Sequence, residues 1–491
     1  MIRRGIRRQL PTTAALLATA AVVVLSFPPL AAAHATLIGR EDLPLPEWLF
    51  IYGALVILVV SFVGLLLSWQ TPRFEGSRSR PLGAAASAAV LNRPLEVVAG
   101  MLGVGLLVLV VWTGLDGVDA PDRNFSVSFV FVTFWLGLVL VSVLLGDVFR
   151  AFNPWRAIGR AVSALFAAGA GQRAPAPLAY PERLGRWPAA VGLFGFLFFE
   201  LVWGQSGFVA AGIEPRDVAI ATLVYSAITF VAMALFGVDR WIERGETFSQ
   251  YFAMFASLSP LVVEEGGLRV RRPLSGATRW SGPAGSLALV LVAIGGTTFD
   301  GAQEGLLAGP IDSLYGLLLD GGISTVTSLR LTSALFLVLA LAVVALIFWG
   351  GILGMRIVER RRGPRELGAA FAHAFIPIAL AYIVAHYFSY VIYLEQAQFT
   401  FLLSDPFGTG ADLFGTADSG IDYTLLGAAA IQYTQFGAIV CGHVVALVLG
   451  HDRALKLWGS SRDAAWSQIW MLVMMMLFSV LGLYLLSRAN G

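Results

Sequence analysis

Cysteine and lysine are almost missing from this chain. Cys441 is the one cysteine in 491 residues, so no disulfide framework and no CxxC metal knot can form within the chain. Redox compartment is therefore not legible from it. Lys456 is the one lysine, and arginine supplies nearly all the other positive charge, a bias that a GC-rich genome explains better than a mechanism does. Charge of either sign is scarce as well. Charged residues make up 13% of the chain, against about 25% in ordinary soluble domains, and the net charge is only +2. The arginines sit in short clusters between apolar runs rather than along one face, which excludes the usual nucleic-acid footprint. What is abundant is hydrocarbon: 57% of residues are hydrophobic and the mean hydropathy is +0.77. The composition specifies an all-α, polytopic transmembrane helix bundle whose partner is the lipid bilayer.

The first 33 residues read as a signal segment: MIRRGIRRQL is a positive n-region, an apolar run follows to Leu30, and Ala31-Ala32-Ala33 is a small-residue cleavage pattern. Cleavage after Ala33 would free His34 as a first residue able to chelate copper; cleavage two residues later, or retention as a signal anchor, are the simpler alternatives. Residues 34–491 then form one membrane domain. Apolar stretches long enough to cross about 30 Å of hydrocarbon fall near 48–69, 96–116, 126–146, 187–207, 217–237, 284–299, 330–350, 368–393, 424–449 and 464–487. The stretch at 284–299 is the weakest and is short enough to be re-entrant. Ten spans after the signal segment place arginine-bearing loops such as MRIVERRRGPRE on one side and mostly acidic loops such as SDPFGTGADLFGTADSGID on the other. That asymmetry predicts a bacterial inner-membrane protein with its mature N-terminus and its C-terminus outside. AFNPWRAIGRAVSALFAA and TFSQYFAMFASLSPLVV read either as helices lying in the cytoplasmic interface or as ordinary packed loop helices.

Ionisable groups inside a membrane cost several kcal/mol unless paired or hydrated, so each is a functional candidate. The set is small: Glu200, His373, His386 and His443, with Gln205, Gln432, Gln435 and Tyr382 as neutral company. Asp147, Asp239 and His451 fall at inner ends and Asp300 at an outer end, where water is within reach. Antiparallel matching of the spans from Gly368 and Thr424 sets His373 level with His443 near the inner face, and His386 in the outer third among Gln432, Tyr433 and Glu200. Tyr382, His386 and Tyr390 share one helix face at four-residue spacing. Pro377 predicts a break beside His373, as where a helix lines a cavity. Beside each histidine stands the plain alternative of an imidazole that only hydrogen-bonds a neighbouring helix for about 1 kcal/mol or less. Trp112, Trp135 and Trp203 read as packing or interfacial anchors.

The stretches HATLIGREDLPLPEWLFIYGA, GDVFRAFNPWRAIGRA, PIALAYIVAHYFSY, SDPFGTGADLFGTAD and GHVVALVLGHDRAL resemble bacterial polytopic membrane proteins named fenitrothion hydrolase, over most of the chain from His34. The resemblance implies hydrolysis of an organophosphate triester, a lipophilic small molecule, at its aryl ester bond; it carries no catalytic residues with it. Such hydrolysis normally uses a metal-bound hydroxide. On that scheme His373 and His443 are the metal ligands of a divalent ion, His386 and Glu200 the catalytic proton-transfer groups or second ligands, and residues 405–418 an outer lid. No HExxH, HxH or close carboxylate cluster is present. Two alternatives stay open: a haem- or copper-handling protein with paired imidazoles as axial ligands, and a proton-linked transporter built on Glu200, the histidines and Pro377.

Overall fold

Apolar stretches in lipid must become helices, because each backbone N–H and C=O there has to be paired within its own segment. In the computed structural model, which describes residues 47–170, 176–204, 213–280, 282–303, 305–358, 360–458 and 461–489, they do. The signal segment, His34 and Gln205 lie outside the described residues. Among those described, nine helices are long and apolar enough to cross a membrane, and a tenth apolar helix, Trp187–Trp203, is shorter. We label the helices used below α1 (Glu47–Ser68), α2 (Arg93–Asp116), α3 (Phe125–Leu145), α4 (Pro154–Ala170), α5 (Trp187–Trp203), α6 (Pro215–Phe236), α7 (Thr247–Ala256), α8 (Ser286–Gln303), α9 (Thr325–Val358), α10 (Ile376–Phe399), α11 (Ala428–Trp458) and α12 (Ser461–Ala489). The protein is an all-α polytopic bundle.

The stretch that looked weakest in sequence lies among the best protected. Helix α8 has the lowest mean hydropathy of the nine spanning helices, 1.2, yet 72% of its apolar window is buried, against 28% for the strongly apolar α1. It packs on α5, α9 and α10, so Thr297, Thr298 and Asp300 face protein rather than lipid, and a lipid-like hydropathy is not required of it. Small residues permit the approach. A Cβ at Gly296 would lie 2.5 Å from Leu197, and one at Gly295 would lie 2.9 Å from Leu341. The helix also runs to Gln303, beyond the expected end at 299, which carries Asp300 inside the bundle.

Helix α10 follows a short helix, Pro364–Phe371, and a 3₁₀ turn, Ala372–Phe375. Pro377 stands in the first turn of α10, where its missing N–H costs nothing, so the break expected from sequence is the 3₁₀ turn carrying His373. Helices α10 and α11 are antiparallel neighbours in close contact at Gly442, where a Cβ would lie 2.3 Å from that of Ala381 and 2.8 Å from the Pro377 carbonyl.

Of the two readings open for TFSQYFAMFASLSPLVV, the packed loop helix holds, over Thr247–Ala256 alone, with Phe248, Tyr251, Phe252, Met254 and Phe255 buried in the core. Its tail forms a strand instead. β1 (Arg80–Pro81), β2 (Leu261–Glu264) and β3 (Gly267–Val270) make an antiparallel sheet with β3 central, pairing Arg80 and Leu261 with Val270. The β2–β3 turn needs positive φ at both central residues, met by Glu265 at 53° and Gly266 at 73°.

Candidate functional site

Several polar and ionisable groups of the bundle gather around one carboxylate. Asp300, near the end of α8, has its Oδ2 2.9 Å from His386 Nε2 on α10. The Tyr387 hydroxyl donates to the same oxygen, and Gln303 Nε2 donates to Oδ1 at 2.7 Å. A carboxylate accepting from an imidazole N–H fixes which ring nitrogen carries the proton and in which direction the ring faces. The imidazole is a quarter exposed and the carboxylate 15% exposed, so the pair is partly wet. His386 borders a cavity of about 30 Å³ with Thr297, Thr298, Gly301 and Tyr382, and a cavity of that size can hold a water. Gly301 forms part of its floor. A Cβ there would stand 3.5 Å from His386 Nδ1, between the ring and the space beside it.

Glu200 joins this cluster from α5. It sits in a π-helical turn, Phe199–Trp203, and its Oε2 is buried without a hydrogen-bond partner while lying within the field of Asp300. A second π-helical segment, Phe129–Gly137 in α3, faces α10 from the other side. It brings the Trp135 ring against Tyr387, with centroids 5.3 Å apart, and lets Thr133 donate to Glu395 Oε2 at 2.9 Å. π turns widen a helix locally and recur at functional sites; here one carries Glu200 and the other packs on α10.

His373 and His443 have different surroundings. His373 is fully buried, its Nδ1 donates to the Ala370 carbonyl at 3.0 Å, and the Leu449 carbonyl is its other backbone partner. His443 is fully buried too, with Nδ1 donating to Ile439 O, one turn back on its own helix, at 2.7 Å, and its ring 6.0 Å from that of Tyr382. Sequence matching set His373 level with His443. In the structure Leu449 stands opposite His373, six residues further along, or about 9 Å at 1.5 Å per residue. Among the described residues no group of three or more His, Cys, Asp or Glu could hold a metal ion.

Two residues placed within reach of water turn out to hold the packing together. Asp300 is the partly wet hub above. His451 is 2% exposed and its Nε2 donates to the Trp69 carbonyl at 3.0 Å, while its neighbour Asp452 is fully buried. Asp452 accepts from Trp69 Nε1 and the Arg73, Phe74 and Glu75 backbone N–H groups, and so fixes the segment after α1. Glu75 in turn pairs with Arg453 and Lys456, so HDRALK is a structural clasp. Sequence reasoning also passed over Tyr387 and Glu246. The latter is fully buried, caps α7 through the Phe248 and Ser249 N–H groups, and accepts from Tyr225 and Asn153. Position before the Thr247 helix was the available signal for Glu246; for Asp300 it was the small and polar residues around it, Gly295, Gly296, Thr297, Thr298 and Gly301.

The expected outer lid is ordered by its own carboxylates. Asp405 accepts from Thr409 and Gly410 N–H, and Asp412 from the Ser404 hydroxyl and Ala417 N–H. It docks on α2 through Phe407 against Trp112, centroids 5.0 Å apart, and through Gly408, whose φ of 66° and closeness to Val118 admit no side chain. Comparison of the chain with protein-family models, with curated proteins and with solved structures finds no match.

Proposed function

We propose that this integral membrane protein is a hydrolase of lipophilic neutral esters, organophosphate triesters above all, in which His386 is the general base and Asp300 the carboxylate that orients it. The observation that carries this reading is the 2.9 Å contact between Asp300 and His386 inside the bundle, beside a cavity large enough for water. The resemblance noted in the sequence supplies the substrate class. A neutral triester partitions into the bilayer and reaches a site between helices without crossing water.

In this scheme the imidazole takes a proton from a water as its oxygen attacks phosphorus. The bond from phosphorus to the aryl oxygen breaks, the aryloxide leaves, and the imidazolium returns the proton to it, giving a phenol and a dialkyl phosphate. Asp300 stabilises the transient imidazolium, Tyr387 and Gln303 hold the carboxylate in line, and Glu200 accepts or passes on a proton at the edge of the cluster. In this scheme the converging groups, a carboxylate, an imidazole and a phenol, act as orienting group, base and hydrogen-bond donor, and the ligand roles foreseen for His373 and His443 form no part of it. The inner membrane, with both mature termini outside, is the location that the arginine asymmetry supports.

The test is phenol release from an aryl phosphotriester by the protein in proteoliposomes. Asp300→Asn and His386→Gln should each lose about 10²-fold or more in kcat, with KM little changed and the folded helical signal intact. Wild-type release no faster than that of empty vesicles would overturn the proposal. One observation favours a second reading: the unpartnered Glu200 oxygen next to Asp300 is also what a proton-linked transporter needs. Acidification of vesicles that requires Glu200, without ester cleavage, would select it.

A further inference from the structure

A far larger space than the one beside His386 lies on the other side of α3. It has a volume of about 910 Å³ and is walled by α2, α3, α5 and α6, with the end of α10 closing it. That is at the upper end of the range in which proteins enclose small organic ligands. Its wall is almost wholly hydrocarbon and aromatic. Five side chains there can make ordinary hydrogen bonds: Thr133, Trp155, Thr222, Tyr225 and Gln398. Four are committed elsewhere. Thr133 donates to Glu395, the Trp155 indole donates to the Ser226 hydroxyl at 2.8 Å, Thr222 donates to the Val218 carbonyl at 2.8 Å, and the Tyr225 hydroxyl donates to Glu246. Gln398 is not: it is 2% exposed, and its amide oxygen is buried with no partner. A buried acceptor left unpaired costs about 1–3 kcal/mol, so the fold retains an expense that an occupant bearing a donor would remove.

The rim shows where such an occupant comes from. Leu102, Val224, Ile228 and Phe399 line the cavity and are each more than half exposed on the apolar outer surface of the bundle. The cavity thus opens sideways, toward lipid. We propose that it binds a single long hydrocarbon chain ending in a hydrogen-bond donor, of the fatty-alcohol type, with the chain lying between α2, α3 and α6 and the terminal hydroxyl donating to Gln398. This site stands apart from the Asp300–His386 cluster and does not depend on the hydrolase reading.

The test uses photo-crosslinking of a diazirine-bearing fatty alcohol to the full protein in nanodiscs, with labelled peptides mapped by mass spectrometry. Label should concentrate on α2, α3 and α6, and hexadecanol should compete for it about fivefold better than hexadecyl methyl ether, the worth of one hydrogen bond. Gln398→Leu should erase that preference while leaving the labelled positions unchanged. Gly195 lines the cavity and an added Cβ there meets nothing within 4 Å, so Gly195→Leu should fill the space and cut labelling at least fivefold. Label spread evenly over the lipid-facing surface would overturn the proposal. So would equal competition by the alcohol and the ether, a result that can be read even if Gly195→Leu fails to fold.

Discussion

Two sets of polar groups in this bundle are partnered differently. In one, imidazoles and a carboxylate are tied mainly to backbone: His373 to the Ala370 and Leu449 carbonyls, His443 to Ile439, His451 to Trp69, and Asp452 to three successive N–H groups. In the other, side chains are tied to side chains: His386, Tyr387 and Gln303 all converge on Asp300. A group bound to backbone holds the chain in one shape and has little to gain from changing protonation. One bound to another titratable group in a partly wet space can exchange a proton without unfolding anything. A histidine inside a membrane is thus not evidence of chemistry until its partner is known.

Four substitutions or conditions can break or sharpen this contrast. The largest effect should come from Asp300→Asn, which keeps the shape of the hub but cannot stabilise an imidazolium; ester turnover should fall by about 10²–10⁴-fold, with the melting temperature moved far less than by loss of Asp452. Turnover within threefold of wild type would dissolve the distinction. Next, Asp452→Ala strands three backbone donors and the Trp69 indole, and should destabilise the protein by about 3 kcal/mol or more, seen as a large drop in thermal unfolding temperature. Ester turnover per folded molecule should be preserved.

A smaller effect is expected at His443→Ala. Loss of one back-bond to Ile439 and a partly collapsed cavity should cost about 1–2 kcal/mol, with turnover unchanged within about twofold; a hundredfold loss of turnover would return His443 to the chemistry. The smallest effect belongs to the outer loop. The Ser404 hydroxyl and the Ala417 N–H hold the Asp412 carboxyl below its ordinary value. A lowered folded value means that the contribution is complete above the usual carboxylate pKa and is lost as pH falls through the folded one. Protease sensitivity of residues 405–418 should therefore be flat at neutral pH and rise only below about pH 4. Asp412→Asn should show the raised sensitivity already at pH 7.

Much of the architecture could be read in advance, for a definite reason. Ten apolar stretches and alternating arginine clusters are local properties, and lipid leaves a buried-length apolar segment little choice but helix. The break at Pro377 was legible in the same way, since a proline without N–H must start a helix or bend one. The site was legible only in part. Glu200 and His386 stood out because carboxylates and imidazoles in apolar runs are costly, and the structure places both near Asp300. Asp300 did not stand out, because apolarity was taken to mark the helix end, and α8 is less apolar only because protein surrounds it. The level assigned to His373 differed because antiparallel register depends on where two helices can approach, and that is decided by Gly442 against Ala381.

The sequence by itself determined that this chain lives in a membrane, roughly where its apolar helices lie along the chain, and which few ionisable groups had to be accommodated there. Only tertiary packing decided which of those groups meet. Hydrophobicity and helix period act along the chain, over a turn or two, whereas the pairing of Asp300 with His386, and of Asp452 with the segment after α1, joins residues 86 and about 380 positions apart. Contacts of that range are set by how side chains from several helices fill one space, and no single stretch of sequence contains that information.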